Sequence, residues 1–227
     1  MSKTGKFYGI GVGPGDPELI TLKAIRILEQ VDAVIAPRGK GESIALKIAK
    51  PYIRGEVFKL EFPMIYEKEA LEPVWDENVK KIKELLYGGK DVAFITLGDP
   101  MIYSSYIYIL KRLKDFEVAT IPGITSFSAA AARLNLPIAE GKEPFAVVPA
   151  GDLQIVERAL SDFDNVVLMK VSRNYVQIAD LLQEKGFTAG LIIRCGHQEE
   201  EVTFDLEKYR GGKIDYLSLI IGKKVGS

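Results

Sequence analysis

The sequence predicts a two-domain α/β protein, with a parallel sheet in the N-terminal domain and a mixed sheet in the C-terminal domain. Three observations predict it. Through the first half, short apolar runs alternate with amphipathic helical segments, the β-α-β order that builds parallel sheets. Val92 to Leu97, bounded by Gly88-Gly89 and Gly98, is apolar throughout, as a strand buried on both faces must be. Late in the chain Val202, Phe204 and Leu206 alternate with polar residues, which marks a half-exposed strand of the antiparallel kind. The boundary falls within the short segment after Lys114, giving residues 1–117 and 118–227.

Taken in order, Phe7 to Val12 is a glycine-rich strand that runs into Gly13-Pro14-Gly15-Asp16-Pro17, where backbone must approach something closely. Asp16 suits an N-cap and Pro17 a first helical residue, with Glu18 favouring the positive end of the dipole. The helix that follows is expected to face inward along Leu22, Ile25 and Leu28, and Val31 to Ala36 is the next strand. Pro37-Arg38-Gly39-Lys40-Gly41-Glu42 is a polar, glycine-rich stretch suited to a lid, and a short helix follows near Ser43 to Lys50. Glu56 to Phe62 is strand-like, and a helix over Pro73 to Tyr87 lines up Val74, Asn78, Ile82 and Leu85 before stopping at Gly88.

After the Val92 strand the period changes. Ile102, Tyr106, Ile109 and Leu113 recur at helical spacing, so a helix is expected from Ile102, ending near Lys114. Gly98 and Asp99 then sit at the carboxyl end of an inner strand, the edge where open α/β sheets bind ligands. Glu117 to Ile121 is a short strand broken by Pro122-Gly123, and Thr125 to Leu134 is a helix of small residues. Phe145–Ala150, Val166–Val171, Ala189–Cys195, Glu201–Leu206 and Tyr216–Ile221 read as strands. Leu153–Ser161 and Tyr175–Lys185 read as helices.

Composition closes several doors. Among 227 residues, 30 Lys and Arg face 31 Asp and Glu, a net charge of −1 that gives no global field for nucleic acid or anionic lipid. The longest charge-free run, Val118 to Ala132, is too short to span a membrane and contains Pro122-Gly123. No secretory signal is visible, and a cytoplasmic protein is expected. Cys195 is alone, so no internal disulfide can form, and with the lone His197 it falls short of a zinc cluster. No metal is expected. A nucleophilic triad would need His197, yet no Gly-x-Ser-x-Gly elbow accompanies it. The dinucleotide fingerprint fails too. From Gly9 or Gly11 its third glycine would fall on Pro14 or Asp16, and a carboxylate suits a neutral or cationic ligand better than a pyrophosphate.

Three blocks in this order, Gly9-Ile10-Gly11-Val12-Gly13-Pro14-Gly15-Asp16-Pro17-Glu18-Leu19-Ile20-Thr21, Gly98-Asp99-Pro100-Met101-Ile102-Tyr103-Ser104 and Ile121-Pro122-Gly123-Ile124-Thr125-Ser126, resemble the tetrapyrrole methylases along essentially the whole chain. That resemblance implies two α/β domains, S-adenosylmethionine as methyl donor, a tetrapyrrole substrate and a homodimer, for which Phe127 and Tyr108 offer apolar surface. Tyr103-Ser104-Ser105-Tyr106 and the segment Ser126 to Pro137 are similar to the subgroup that methylates carbon 20 of precorrin-2 or cobalt-factor II.

Carried over by position, the resemblance puts the donor against Pro14, Leu97-Gly98-Asp99, Ile102 and Thr125-Ser126, with Met169 and Lys170 as further contacts. Relatives often end the Val166 strand in Tyr-Met-Gly where this chain has Met169-Lys170-Val171, and Met169 reads equally well as a plain core methionine. A cationic sulfonium suits a turn offering carbonyl oxygens and a carboxylate, as Gly98-Asp99-Pro100 does. Tyr103 and Asp16 are candidate proton acceptors, beside their ordinary readings as a packed tyrosine and a helix cap. Arg38, Lys40, Arg133 and Lys170 are the cations that could pair the acetate and propionate groups of the substrate. Two rivals remain open: a methylase of the same fold acting on another ring carbon, and a non-catalytic protein that binds the donor or a tetrapyrrole.

Overall fold

The computed structural model describes residues 3–38, 43–62 and 68–224, with backbone alone over 68–71. The chain divides into two compact units, Met1–Thr125 and Ser126–Ser227. The division lies beyond the expected boundary at 117/118 because β5 (Val118–Ile121) pairs in parallel with β1 (Phe7–Gly11) and so completes the first sheet.

That first sheet is wholly parallel, in the order β3-β2-β4-β1-β5, with β2 at Ala33–Arg38, β3 at Glu56–Glu61 and β4 at Val92–Thr96. Every residue of β4 is buried, as its unbroken apolar run predicts. Alternate residues of the inner strands feed two cores. On one face Phe7, Ile35 and Phe94 pack with Trp75, Ile82 and Tyr106. On the other Ile10, Val34 and Ile95 pack with Ala24, Leu28 and Ile48. These helical residues belong to α1 (Leu22–Leu28), α2 (Ile44–Ala49), α3 (Lys68–Tyr87) and α4 (Tyr106–Leu110).

Three helices differ from their sequence-based outlines. Asp16 caps only a one-turn 3-10 helix, Pro17–Leu19, and Thr21 caps α1 afresh by accepting from the Ala24 N–H at 3.2 Å. The second cap resets the helical phase, so Ala24 and Leu28 are buried and Leu22 is 72% exposed. In α3 the buried stripe is Trp75, Val79, Ile82 and Leu86. Asn78 is buried beside it because its amide donates to the Glu61 carbonyl at 2.8 Å. The third difference, the late start of α4, belongs to the candidate site.

The second unit holds a mixed sheet, β6-β7-β10-β8-β9, with β6 at Ala146–Pro149, β7 at Asn165–Met169, β8 at Phe187–Ile193, β9 at Glu201–Thr203 and β10 at Ser218–Lys224. β6 and β7 are parallel, and the other pairings are antiparallel. Its core joins Val166, Leu168, Leu191 and Ile220 to Val156 and Leu160 of α6 (Leu153–Asp162) and Ile178 and Leu182 of α7 (Tyr175–Glu184). The alanine-rich α5 (Ser126–Leu134) packs on β8 and β10, where the Leu134 methyls come within 2.7 Å of where a Gly190 Cβ would stand. Of its small residues, Ala129 and Ala130 are buried. Of the apolar positions expected at an interface, Phe127 is half-buried, and Tyr108 stacks on Trp75 with ring centroids 4.2 Å apart. No helix among the described residues is long and apolar enough to cross a membrane.

Candidate active site at the carboxyl edge of the first sheet

β1 lies between β4 and β5, so the chain segments leaving all three strands emerge side by side. After β1 the Val12 N–H donates to the Thr96 carbonyl at 3.0 Å, and then the ladder reverses. The Gly98 N–H donates to the Gly13 carbonyl at 2.7 Å and the Gly13 N–H to the Gly98 carbonyl at 3.4 Å, an isolated antiparallel bridge between two turns. Both glycines take left-handed backbone, φ +83° at Gly13 and +70° at Gly98, which L side chains rarely adopt. A Cβ on Gly11 would lie 2.6 Å from the Gly98 carbonyl oxygen, and one on Gly123 only 2.2 Å from it. The close approach foreseen in this glycine-rich sequence is thus largely backbone on backbone. Gly9 has a different reason: its missing side chain makes room for the Tyr106 ring.

Asp99 stitches the turns together. One carboxylate oxygen accepts from the Met101 N–H at 2.8 Å and the other from the Gly123 N–H at 3.0 Å. Below it the Thr96 and Ser104 hydroxyls pair at 3.0 Å, and Ser104 Oγ also accepts from the Tyr106 N–H at 3.1 Å. The Tyr106 hydroxyl pairs with Thr120 at 2.6 Å, and burial pushes its phenol pKa up. These bonds explain why helix α4 starts at Tyr106. Tyr103 is left-handed at φ +49° and Ser104 binds back to Tyr106, so Ile102 lies in a turn and is 39% exposed.

The expected site residues are distributed unevenly. Pro14 and Gly98 are buried, and Leu97 and Asp99 are half-buried, all at this edge. A Cβ on Gly98 would meet nothing within 4 Å, so the turn has an open side there. Tyr103 is 47% exposed. Asp16 accepts from the Glu18 N–H at 2.9 Å, which gives its carboxylate a cap to hold. Arg38 ends β2, the neighbour of β4, and is exposed at the same edge. Lys40 and the lid segment from Gly39 to Glu42 lie outside the described residues.

Thr125 closes the first unit and Ser126 opens α5 of the second, both half-buried. In the second unit Met169 ends β7, and Lys170 follows it with φ +60°. The Arg133 guanidinium is held 2.6 Å from Glu200, whose other oxygen accepts from the Gly196 N–H at 2.6 Å. Arg133, expected to pair a substrate carboxylate, thus has a carboxylate partner within its own unit while its side chain is 63% exposed. Among the described residues no three His, Cys, Asp or Glu side chains cluster as metal ligands would. Sequence reasoning overlooked the Thr96–Ser104 pair and the Thr120 hydroxyl, for which isolated polar residues in apolar runs were the available signal.

Comparison with known proteins gives a consistent picture. The model of the family described as Tetrapyrrole (Corrin/Porphyrin) Methylases matches residues 6–208. The probable cobalt-precorrin-2 C(20)-methyltransferase of Methanocaldococcus jannaschii is 37% identical over 227 residues, covering 96% of each chain. The cobalt-precorrin-2 C(20)-methyltransferase of Salmonella typhimurium is 37% identical over 211 residues, covering 90% of this chain and 86% of its own. Among solved structures, a cobalt precorrin-4 methyltransferase superposes with a TM-score of 0.77 at 20% identity, covering 96% of this chain and 94% of that one. A uroporphyrin-III C-methyltransferase from Thermus thermophilus, solved with S-adenosylhomocysteine, gives 0.69 at 21% identity, covering 97% and 98%. At those identities the two structures speak for the fold.

Proposed function

The chain belongs to the tetrapyrrole methylase family, and from that premise we propose that it transfers a methyl group from S-adenosylmethionine to carbon 20 of precorrin-2 or its cobalt-bearing counterpart, in the assembly of the corrin ring. The observation that carries the choice of substrate is the 37% identity, along nearly the whole chain, to relatives named for that reaction. Assembly as a homodimer and a cytoplasmic location are part of the same proposal and rest on the resemblance.

The first sheet's carboxyl edge fits such a donor. The turn at Gly98 has an open side, and Asp99 and Asp16 leave the edge suited to a positively charged sulfonium rather than a phosphate. When bound, the donor supplies an electrophilic methyl whose bond to sulfur breaks as the bond to carbon 20 forms, leaving S-adenosylhomocysteine, and the hydrogen that carbon 20 carried departs as a proton, for which Tyr103 and Asp16 are the proposed acceptors. The protein's share is orientation, for which the Gly13–Gly98 bridge and the Asp99 stitch provide a rigid frame. Holding two reactants in line contributes on the order of 7 to 11 kcal/mol. Arg38 and Lys170 are the cations proposed to pair the carboxylates of the substrate. The test is incubation with precorrin-2 and with cobalt-factor II, each with isotope-labelled S-adenosylmethionine. The reading expects a mass gain of one methyl and an NMR signal at carbon 20. A label at another ring carbon, or no transfer to either substrate, would refute it.

A further inference from the structure

Of the large apolar side chains exposed among the described residues, three stand consecutively: Met101 at 52%, Ile102 at 39% and Tyr103 at 47%. No two of the others are neighbours in sequence. Single exposed apolar residues are ordinary on a protein surface, whereas a run of three is a defect unless something covers it in use.

Local bonds hold this run outward. Ile102 continues the stripe of Tyr106, Ile109 and Leu113, all fully buried, so a helix begun one turn earlier would turn Ile102 toward the first core. The chain forgoes that burial. The Met101 N–H is bound to the Asp99 carboxylate at 2.8 Å, the Ile102 N–H reaches the Asp99 carbonyl at 3.4 Å, and Tyr103 is left-handed at φ +49°. Beyond it the Ser104 hydroxyl pairs with Thr96 and accepts from the Tyr106 N–H, which fixes the other end of the segment. Left-handed backbone at a tyrosine persists where the surroundings enforce it, and such positions gather at functional sites. The run thus belongs to the same fixed turn that borders the open side of Gly98.

We infer that Met101, together with Tyr103, forms an apolar platform for the face of the tetrapyrrole ring. This rests on the reading of donor and substrate given above. Methyl transfer needs the acceptor carbon within about 3 to 3.5 Å of the donor methyl, so a ring methylated beside Gly98 must lie over the residues that follow it. Such a ring has apolar faces, and its carboxylates project from the rim. The three exposed side chains carry no charge and match the face, while Arg38, exposed at the same edge, is a cation for the rim. Ile102 is the one that the resemblance gives to the donor, so Met101 reports on the ring alone. Its thioether is polarisable and unbranched, and adapts to the puckered face of a reduced macrocycle.

The experiment compares three variants. Met101→Gln keeps the length and removes apolar surface, Met101→Leu keeps that surface, and Tyr103→Phe keeps the ring and removes the hydroxyl proposed as proton acceptor. Uroporphyrin III serves as a non-reacting tetrapyrrole in binding titrations and S-adenosylhomocysteine as the donor probe, with unfolding temperature and sedimentation measured alongside. Met101→Gln should weaken uroporphyrin III binding about three- to tenfold. The factor should be the same at low salt and in about 0.5 M salt, because a lost apolar contact is not screened. Met101→Leu and Tyr103→Phe should bind it within about twofold of wild type, and S-adenosylhomocysteine affinity should stay within about twofold in all three. Met101 and Tyr103 are exposed, so each variant should unfold near the wild-type temperature. Unchanged uroporphyrin III binding in Met101→Gln overturns the proposal. So does an equal loss of S-adenosylhomocysteine affinity, which assigns the run to the donor, or a shift from dimer to monomer with tetrapyrrole binding intact, which assigns it to a second copy of the chain. Failure of the carbon-20 reading shows instead as absent or misplaced methyl in the wild-type product, a result on which uroporphyrin III binding does not depend.

Discussion

At the carboxyl edge of the first sheet, Gly11, Gly98 and Gly123 bring three turns together so tightly that a Cβ on Gly123 would stand 2.2 Å from a carbonyl oxygen. At the matching edge of the second sheet the left-handed positions carry Lys170 and Arg194, and the loops are tied by the Arg194–Asp215 and Arg133–Glu200 ion pairs. One edge is fixed by closely packed backbone, with the Asp99 carboxylate bonding across its turns. The other is fixed by partly exposed charges, whose pairing is weaker and screened by ions. The difference predicts that substitutions at the first edge change stability more than substitutions at the second.

The largest effect that would break this contrast is Gly123→Val. Its side chain must displace the Gly98 carbonyl and the Gly11 backbone, neither of which can rotate away, so a loss of stability of about 3 kcal/mol or more is expected, with methyl transfer abolished. Chemical denaturation checks it. A variant as stable as wild type would mean that the three turns are not locked.

Asp99→Ala comes next. It strips the acceptor from the Met101 and Gly123 N–H groups, and charge-assisted bonds of this kind contribute about 1.5 to 3 kcal/mol each; Asp99 is only half-buried, so the low end of the sum, about 3 kcal/mol, should be lost. Asp99→Asn, which keeps one acceptor oxygen, should recover part of that loss in the same denaturation series.

Arg133→Ala is the smallest. Its pair with Glu200 joins an arginine 63% exposed to a carboxylate only 9% exposed that keeps the Gly196 N–H as a second partner, so removal should cost about 1 kcal/mol at low salt and somewhat less in 1 M salt. The Michaelis constant for the tetrapyrrole should not change. An increase would return Arg133 to the carboxylate-binding role that its sequence position suggests.

The fold was legible where one physical signal dominated. The unbroken apolar run of β4 marked that strand, the alternation from Val202 marked an antiparallel strand although β9 ends at Thr203 and leaves Phe204 beyond it, and the three glycine-rich blocks fell at the edge. What escaped was set by competing local bonds. Thr21 and Asp16 are both good caps, and nothing in the spacing says that the chain uses both and resets the phase of α1. Ile102 fits the helical period of Tyr106 and Ile109, but the Ser104 hydroxyl and the left-handed Tyr103 delay the helix. Asp16 reads equally as a cap and as a candidate proton acceptor, and the structure adds the cap: one of its carboxylate oxygens accepts from the Glu18 N–H. Lys170 carries no sequence mark of its conformation, since lysine is not a turn former. Its φ comes from Met169, Val171 and Asn174 packing around it.

The donor's place at the Gly98 turn is tested most directly by calorimetric titration of Gly98→Ala with S-adenosylhomocysteine. The added methyl meets no protein atom within 4 Å, so the protein loses only the glycine's ease with a φ of +70°, a cost of about 1 kcal/mol. The methyl would occupy the space assigned to the ligand, and affinity should fall at least about a hundredfold, equivalent to about 2.7 kcal/mol, while the protein remains folded. Affinity within about twofold of wild type would contradict the account and move the donor away from this edge.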